Sequence, residues 1–331
     1  MKKRYLLAGV YGLAGATLAA KLLSRPRDVE WEEHHAGVAH AERSKFAEVG
    51  GARVHYQETG SEDAPTIILI HGFCASTFVW SDVIAPVAEM GFRVIAPDLI
   101  GYGFSEKPRA ARYTIDAQAR MIVGLMGELK IERAALVGSS YGGAVAATVA
   151  LDHPQRVERL VLVGAVTDDK VKNSSLMRLA VSPVMGDLLS PVLLGSFPLM
   201  RRHMRKIYAE GNARLLDERR LAAHHLPMRA ADTHRAIIKT LRGWQAERIG
   251  RDAHLIEHPT LLVWGEHDTV VPLARGRELN RKLPHSRLVI LGRCGHLPQE
   301  ERPAEFAGLV AGFCKTTKPK VMTAAQGAYA R

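Results

Sequence analysis

The chain has 331 residues, 47% of them hydrophobic and 24% charged, with a formal net charge of +11 at pH 7. Such a balance excludes a disordered or low-complexity chain, and the length allows one large domain plus an insertion. Three cysteines, Cys74, Cys294 and Cys314, are too few and too scattered for a disulfide framework, and no pair has metal-ligand spacing.

Lys2-Lys3-Arg4 precede an uncharged stretch from Tyr5 to Ala20, a membrane-directed signal. Its 16 residues are short against the roughly 20 that cross a bilayer, although Leu22 and Leu23 extend it if Lys21 snorkels. Residues 1–27 are therefore read as an uncleaved N-terminal anchor, and association with a membrane is expected. A secretory or periplasmic signal is the alternative, because Ala14-Gly15-Ala16 offers a small-residue cleavage site. Residues 28–44, rich in charge and histidine, read as a linker or as an outer helix leading to the core.

The core opens with a hairpin: Lys45 to Val49 and Arg53 to Thr59 alternate polar and apolar residues around Gly50-Gly51. Continuous apolar runs follow at Thr66–Ile70, Arg93–Ile95, Ala134–Val137, Arg159–Val163, Thr260–Trp264 and Arg287–Leu291, the pattern of parallel strands covered on both faces. Helical periodicity fills the intervals at Thr77–Met90, Ile115–Leu129, Tyr141–Leu151, Ala274–Leu283 and Pro303–Phe313. The prediction is a doubly wound α/β core in two parts, 45–167 and 246–316, with a tail at 317–331.

Between the two parts the alternation stops, and 168–245 reads as a helical cap. Residues 170–245 hold 14 Lys plus Arg against 5 Asp plus Glu, so the cap carries most of the chain's positive charge. Its densest cluster is Arg201-Arg202-His203-Met204-Arg205-Lys206. A solvated helical face explains any single arginine. The cluster as a whole points to anionic lipid headgroups, a membrane surface, or a negatively charged substrate. Nucleic acid is excluded as a partner, since no recognition motif accompanies the charge and the aromatic content is only 6%. Leu188, Leu189, Val192, Leu193, Leu194, Phe197, Leu199 and Met200 are expected to pack the cap rather than line an acyl channel.

Gly138-Ser139-Ser140-Tyr141-Gly142-Gly143 lies between the strand Ala134–Val137 and the small-residue run Ala144–Ala150. A serine on a strand-to-helix turn this tight is forced into strained backbone with its hydroxyl presented, and glycine two residues to either side leaves room for the crossing chains. Ser140 meets that requirement and Ser139, two residues after Val137, does not. A serine hydroxyl needs a base to take its proton and a carboxylate to hold that base in the right tautomer. Asp268 follows the strand Thr260–Trp264, at the carboxyl end where open α/β sheets gather functional groups, with Glu266 and Asp252 as competing acids. His296 follows the last strand in Gly292-Arg293-Cys294-Gly295-His296 and is the candidate base among 15 histidines.

With His71-Gly72-Phe73 after Thr66–Ile70, and Arg93 to Ser105 as the next strand and loop, these residues give a chain that resembles an α/β-hydrolase over about 45–315. The resemblance implies an α/β-hydrolase fold: a mostly parallel, doubly wound sheet with a helical cap insertion, needing no cofactor and no metal. It implies a catalytic triad of Ser140, His296 and Asp268, and an oxyanion hole made by the backbone N–H groups of Phe73 and Tyr141. His71 and Asp98 are expected to brace loops. An aspartate nucleophile marks the epoxide hydrolase and haloalkane dehalogenase branches, and Ser140 argues against both. The expected activity is that of an esterase or lipase cleaving small to medium carboxylic esters, monoacylglycerols among them, so the expected partner is a small-molecule ester. Carbon-carbon hydrolysis of meta-cleavage-type products is an alternative, weakened because Phe73-Cys74-Ala75-Ser76 stands where those enzymes show Gly-Pro-Gly. A low-turnover ligand receptor on the same fold is the rival from another class.

Overall fold

Each apolar run in the sequence divides its side chains between two faces, and this division builds the molecule. The computed structural model describes residues 30–169, 181–182, 186, 190, 194–229 and 231–315. The anchor segment Tyr5–Ala20, the tail 317–331, and Leu188, Leu189, Val192 and Leu193 of the cap lie outside the described residues. Among the described residues no helix is long and apolar enough to cross a membrane.

The strands are β1 (Ser44–Val49), β2 (Ala52–Thr59), β3 (Thr66–Ile70), β4 (Arg93–Pro97), β5 (Ala134–Ser139), β6 (Val157–Val163), β7 (Thr260–Gly265) and β8 (Ser286–Leu291). They form one sheet in the order β1-β2-β4-β3-β5-β6-β7-β8. The first two pairings are antiparallel and the rest are parallel. β1 and β2 turn through Gly50 and Gly51, both at positive φ (59° and 78°), which is the two-residue hairpin geometry that glycine suits.

Ile68 and Ile70 of β3, Leu136 of β5, and Leu160 and Leu162 of β6 join one core cluster. Their alternate neighbours Ile67, Leu69, Val137, Val161 and Val163 join a second cluster on the opposite face. The first face is covered by α2 (Ile115–Glu128) and α3 (Tyr141–Asp152), the second by α1 (Ile84–Glu89) and the long C-terminal helix Pro303–Lys315. Thr114 starts α2, its side chain accepting the Ala117 N–H at 3.2 Å. β8 departs from the continuous-burial pattern: it is the sheet edge, and Ile290 is exposed.

The helix expected over Thr77–Met90 is split into a 3-10 turn at Thr77–Trp80 and the shorter α1. Ser76 caps the turn through the Phe78 N–H, and Pro86 sits in the first turn of α1, where its missing N–H costs no hydrogen bond. The segment read as a linker or an outer helix carries a short helical turn against the core. Trp31, in a helical turn at Trp31–His34, packs against Phe46, His55 and Phe104 with ring centroids 5.6, 5.2 and 5.2 Å away.

The cap contains α4 (Phe197–Ile207), α5 (Glu218–His225) and α6 (Ala231–Arg242), followed by α7 (Glu247–Asp252), which leads back to β7. Phe197 and Met200 pack with Met204, Ile207, Tyr208, Leu216 and Leu221 of the cap and with Leu297 of the core. Leu194 packs against the first core cluster, whereas Leu199 is exposed.

Asp98, just past the end of β4, is fully buried and ties two loops to β2. One oxygen accepts the Thr77 N–H at 2.7 Å; the other accepts the Phe104 N–H at 2.9 Å and meets His55 Nδ1 at 2.7 Å. Burial alone raises a carboxyl pKa, but the hydrogen bond and charge of His55, the charge of His71 and the Phe104 amide outweigh it and hold Asp98 below its ordinary value. A carboxyl depressed in the folded state adds stability that is present above the unfolded value, about 3.9, and is lost as pH falls through the folded value. Denaturant titrations at a series of pH values should therefore show Asp98→Asn to be less stable than wild type near neutrality, with a shallower loss of stability on acidification below about pH 4. Phe306, fully buried and 6.1 Å from Trp80, holds the C-terminal helix to the sheet, and Phe306→Ala should lower the unfolding free energy by about 3–5 kcal/mol in the same assay.

Candidate active site

β5 ends at Ser139, and the chain turns at Ser140 directly into α3. Ser140 has φ 53° and ψ −112°, a strained backbone for a residue with a side chain. Hydrogen bonds hold it there: its N–H donates to Val163 O at 2.8 Å, and its carbonyl accepts from Gly143 N at 3.0 Å and Val166 N at 3.2 Å. A side-chain carbon on Gly138 would stand 2.2 Å from the Gly142 carbonyl oxygen, and one on Gly142 would stand 2.2 Å from Ile70 O. Only glycine fits at either flank of the turn. Ser139, the serine set aside, is a buried strand residue whose Oγ accepts from Gln299 Nε2 at 3.4 Å.

Asp268, itself buried, follows β7 in an otherwise exposed turn. Oδ1 accepts the amides of Val270 and Val271 at 2.9 Å each, which aims Oδ2 at His296 Nδ1, 2.8 Å away. The carboxylate oxygen accepts, so Nδ1 donates and Nε2 is left as the basic atom of the neutral ring. The competing acids do not reach this histidine. Glu266 is exposed beside His267, and Asp252 pairs with Arg248 and Arg251.

The sheet brings the pair to the serine. A side-chain carbon on Gly164 would lie 3.0 Å from Asp268 Oδ2 and 3.2 Å from His296 Cε1, so the pair sits over the residue that follows Val163, the acceptor of the Ser140 N–H. All three groups gather at the carboxyl edge of β5, β6 and β7 and are nearly buried, Ser140 at 9%, Asp268 at 7% and His296 at 5% relative exposure.

The loop after β3 flanks the serine on its other side, where a side-chain carbon on Gly72 would be 3.3 Å from Ser140 Cβ. His71 braces this loop: Nδ1 pairs with Gly72 O at 2.8 Å and Nε2 accepts the Leu99 N–H at 3.0 Å, while burial holds its imidazole below the ordinary histidine value. Phe73 therefore stands beside the elbow. The Tyr141 N–H belongs to the first turn of α3 and has no intrahelical acceptor. Both side chains lie against Trp244, with ring centroids at 5.5 Å for Phe73 and 5.0 Å for Tyr141. The sequence reading passed over this cap tryptophan; nothing in its local pattern separates it from ordinary packing. Cys74, next in the loop, has its thiol pushed up to about 12 by burial, and Cys294 is raised by burial too, so neither thiol is a reactive nucleophile.

The basic end of α4 lands on this site. The Ile207 carbonyl accepts the His296 N–H at 2.7 Å, and the Lys206 carbonyl accepts from Thr269 Oγ1 at 2.9 Å. Arg201 pairs with Glu218, whereas Arg202, Arg205 and Lys206 are exposed. His203 also reaches solvent, yet the protein around it and its neighbours His296 and Lys206 hold its imidazole below the ordinary value.

A strained serine turn, a carboxylate-oriented histidine and a free helix amide form a constellation able to attack a carbonyl carbon. The chain is 31% identical over 272 residues to a 2-hydroxymuconate semialdehyde hydrolase of Pseudomonas sp. (strain CF600), covering 80% of this chain and 90% of that protein. Its fold is similar to that of a meta-cleavage product hydrolase, CumD, with TM-score 0.67 and 27% identity over 82% of this chain and 98% of the other. It is similar also to a membrane phospholipase A described as a bacterial virulence factor, with TM-score 0.67 and 26% identity over 94% of this chain and 98% of the other. The α/β hydrolase fold family matches residues 65–303, and with the sheet and elbow described above this chain belongs to that family.

Proposed function

We propose that Ser140 is the nucleophile, His296 its base and Asp268 the acid that orients the base, and that the substrate is a carbonyl compound cleaved at a carbon-carbon bond, of the 2-hydroxy-6-oxo-dienoate type. The hydrogen bond from His296 Nδ1 to Asp268 Oδ2 carries the hydrolytic reading, because it leaves Nε2 to take the serine proton. The choice of bond is supported by the relatives. A 2-hydroxymuconate semialdehyde hydrolase, a 2-hydroxy-6-oxo-2,4-heptadienoate hydrolase and a 2-hydroxy-6-oxononadienedioate hydrolase are 29–31% identical to this chain. The ester reading of the sequence accordingly becomes the second.

In the proposed reaction the 2-hydroxydienoate first tautomerises to its 2-oxo form, the hydroxyl proton moving to the carbon beside the 6-ketone; Ser140 Oγ then adds to that ketone as its proton passes to His296, and the amides of Phe73 and Tyr141 receive the oxyanion. The tetrahedral adduct collapses with cleavage of the carbon-carbon bond. The electron pair moves into the conjugated oxo acid and His296 returns the proton to the leaving carbon, so Ser140 keeps the acyl group until water releases it. The exposed cations of α4 suit the carboxylate that such substrates carry.

Carboxylic ester hydrolysis passes through the same acyl-serine. Two observations favour it: the likeness to the membrane phospholipase A extends over 94% of this chain, and Phe73-Cys74-Ala75-Ser76 stands in place of Gly-Pro-Gly. Decay of a coloured meta-cleavage product, measured beside p-nitrophenyl esters of increasing chain length, separates the two. The carbon-carbon reading expects the higher kcat/KM on the meta-cleavage product, and a preference for the esters by tenfold or more overturns it. On the preferred substrate, Ser140→Ala should lower kcat by about 10⁶-fold and Asp268→Asn by about 10⁴-fold. Failure of the wild-type enzyme to react with a fluorophosphonate would remove both readings together.

A further inference from the structure

Two adjacent buried glutamates follow His296 at the end of a short helix, Pro298–Glu301, and neither is used in the chemistry above. Glu300 faces the cap. One of its oxygens accepts from Tyr208 Oη at 2.8 Å and from Arg220 at 3.0 Å, and meets His224 Nε2 at 3.0 Å. Arg220 reaches on to Asp82 of the core at 2.5 Å. Burial works against ionisation of Glu300, but His224, Arg220 and Tyr208 together hold its carboxyl below the ordinary value.

Glu301 faces the other way. Its carboxylate accepts the N–H of Gly295 at 2.9 Å and that of Leu297 at 3.3 Å, the amides of the two residues that flank His296. Oε2 also takes the Ala209 N–H at 2.9 Å and Asn212 Nδ2 at 2.8 Å, both from the chain that leaves α4. The amide of His296 itself is held by the carbonyl of Ile207, the last residue of α4. There is no slack in this contact: a side-chain carbon on Gly295 would stand 2.4 Å from Ile207 O and 2.6 Å from Ala209 N.

Three consecutive amides, those of Gly295, His296 and Leu297, are thus fixed by acceptors that belong to, or are shared with, the cap. We propose that Glu301 is a positioning residue for His296: it sets the histidine loop only while the cap is docked on it, so cap seating and alignment of the base are one event. The inference rests on the assignment of His296 as the base. A carboxylate fits the task because every group facing it is a donor and it offers only acceptors. An amide in its place would turn an NH₂ group toward amides that need an acceptor.

The test uses the full-length chain and three proteins: wild type, Glu301→Gln, and Asn212→Ala, which removes the cap's side-chain contacts to Glu301 Oε2 and to the Arg293 carbonyl and leaves the flanking amides of His296 in place. Each is measured for kcat and KM on the substrate preferred by the wild type and for the rate of fluorophosphonate labelling, with the thermal midpoint recorded alongside. Glu301→Gln is expected to lower kcat and the labelling rate together by about 10²-fold with KM within about threefold, as misplacement of a catalytic group by about 1 Å does. Asn212→Ala should lower both rates by several-fold, also without raising KM. If a folded Glu301→Gln keeps wild-type kcat and labelling, or loses activity through KM alone, the inference is overturned. Should Glu301→Gln fail to fold, Asn212→Ala decides: a matched fall in both rates supports the coupling, and wild-type rates overturn it. Wild-type protein that never labels would instead strike the assignment of Ser140 and His296.

Discussion

The site depends on a contact between backbones. Ser140 can stand at the turn from β5 into α3 only because Gly138 and Gly142 place no atoms where the carbonyls of Gly142 and Ile70 pass, and because Val163 O takes the serine's own N–H. The strain at φ 53° is local, while the restraint comes from neighbouring strands and from a helix built of small residues. A bulkier helix could not approach the sheet this closely. The small-residue run after Ser140 therefore belongs to the geometry of the serine turn as much as the motif does.

Around that fixed point the other groups arrive with different degrees of freedom. Asp268 is pinned by two amides of its own turn and points one oxygen outward, so its aim is set within four residues of chain. His296 has no such local restraint. Its ring is aimed by Asp268, and its backbone is held by α4 and Glu301. Ser140 and Asp268 are thus placed by the sheet and their own turns, and His296, on the loop between β8 and the helix Pro298–Glu301, is steadied both by Glu301 and by the insertion. An insertion able to vary in sequence can then change substrate choice while still supporting the same chemistry.

The ester and carbon-carbon readings share the addition of a serine to a carbonyl carbon and an acyl-serine, so one fold is compatible with relatives of different substrates. What distinguishes the reactions is the fate of the leaving electron pair and the shape of the space above the serine. Phe73, Tyr141 and Trp244 form an aromatic surface beside the elbow, and the exposed cations of α4 stand at the end of the helix that reaches the histidine loop.

Much of the fold could be read directly. The hairpin at Gly50-Gly51, the parallel strands and the order of Ser140, Asp268 and His296 follow from side-chain periods and from turn chemistry, which act over a few residues. The split of Thr77–Met90 was less legible because Pro86 suits a first helical turn as readily as a break. Whether Trp31 belongs to a linker or to an outer helix is not legible locally, since its partners Phe46, His55 and Phe104 lie elsewhere in the chain. The sequence by itself determined the layers, the elbow and the candidates for the site. Only the tertiary structure decided that Asp268 rather than Glu266 faces His296, that Trp244 closes on Phe73 and Tyr141, and that Glu301 joins the cap to the histidine loop. Those outcomes depend on hydrogen-bond acceptors and ring faces brought together across tens to hundreds of residues, and no local period encodes a partner at that distance.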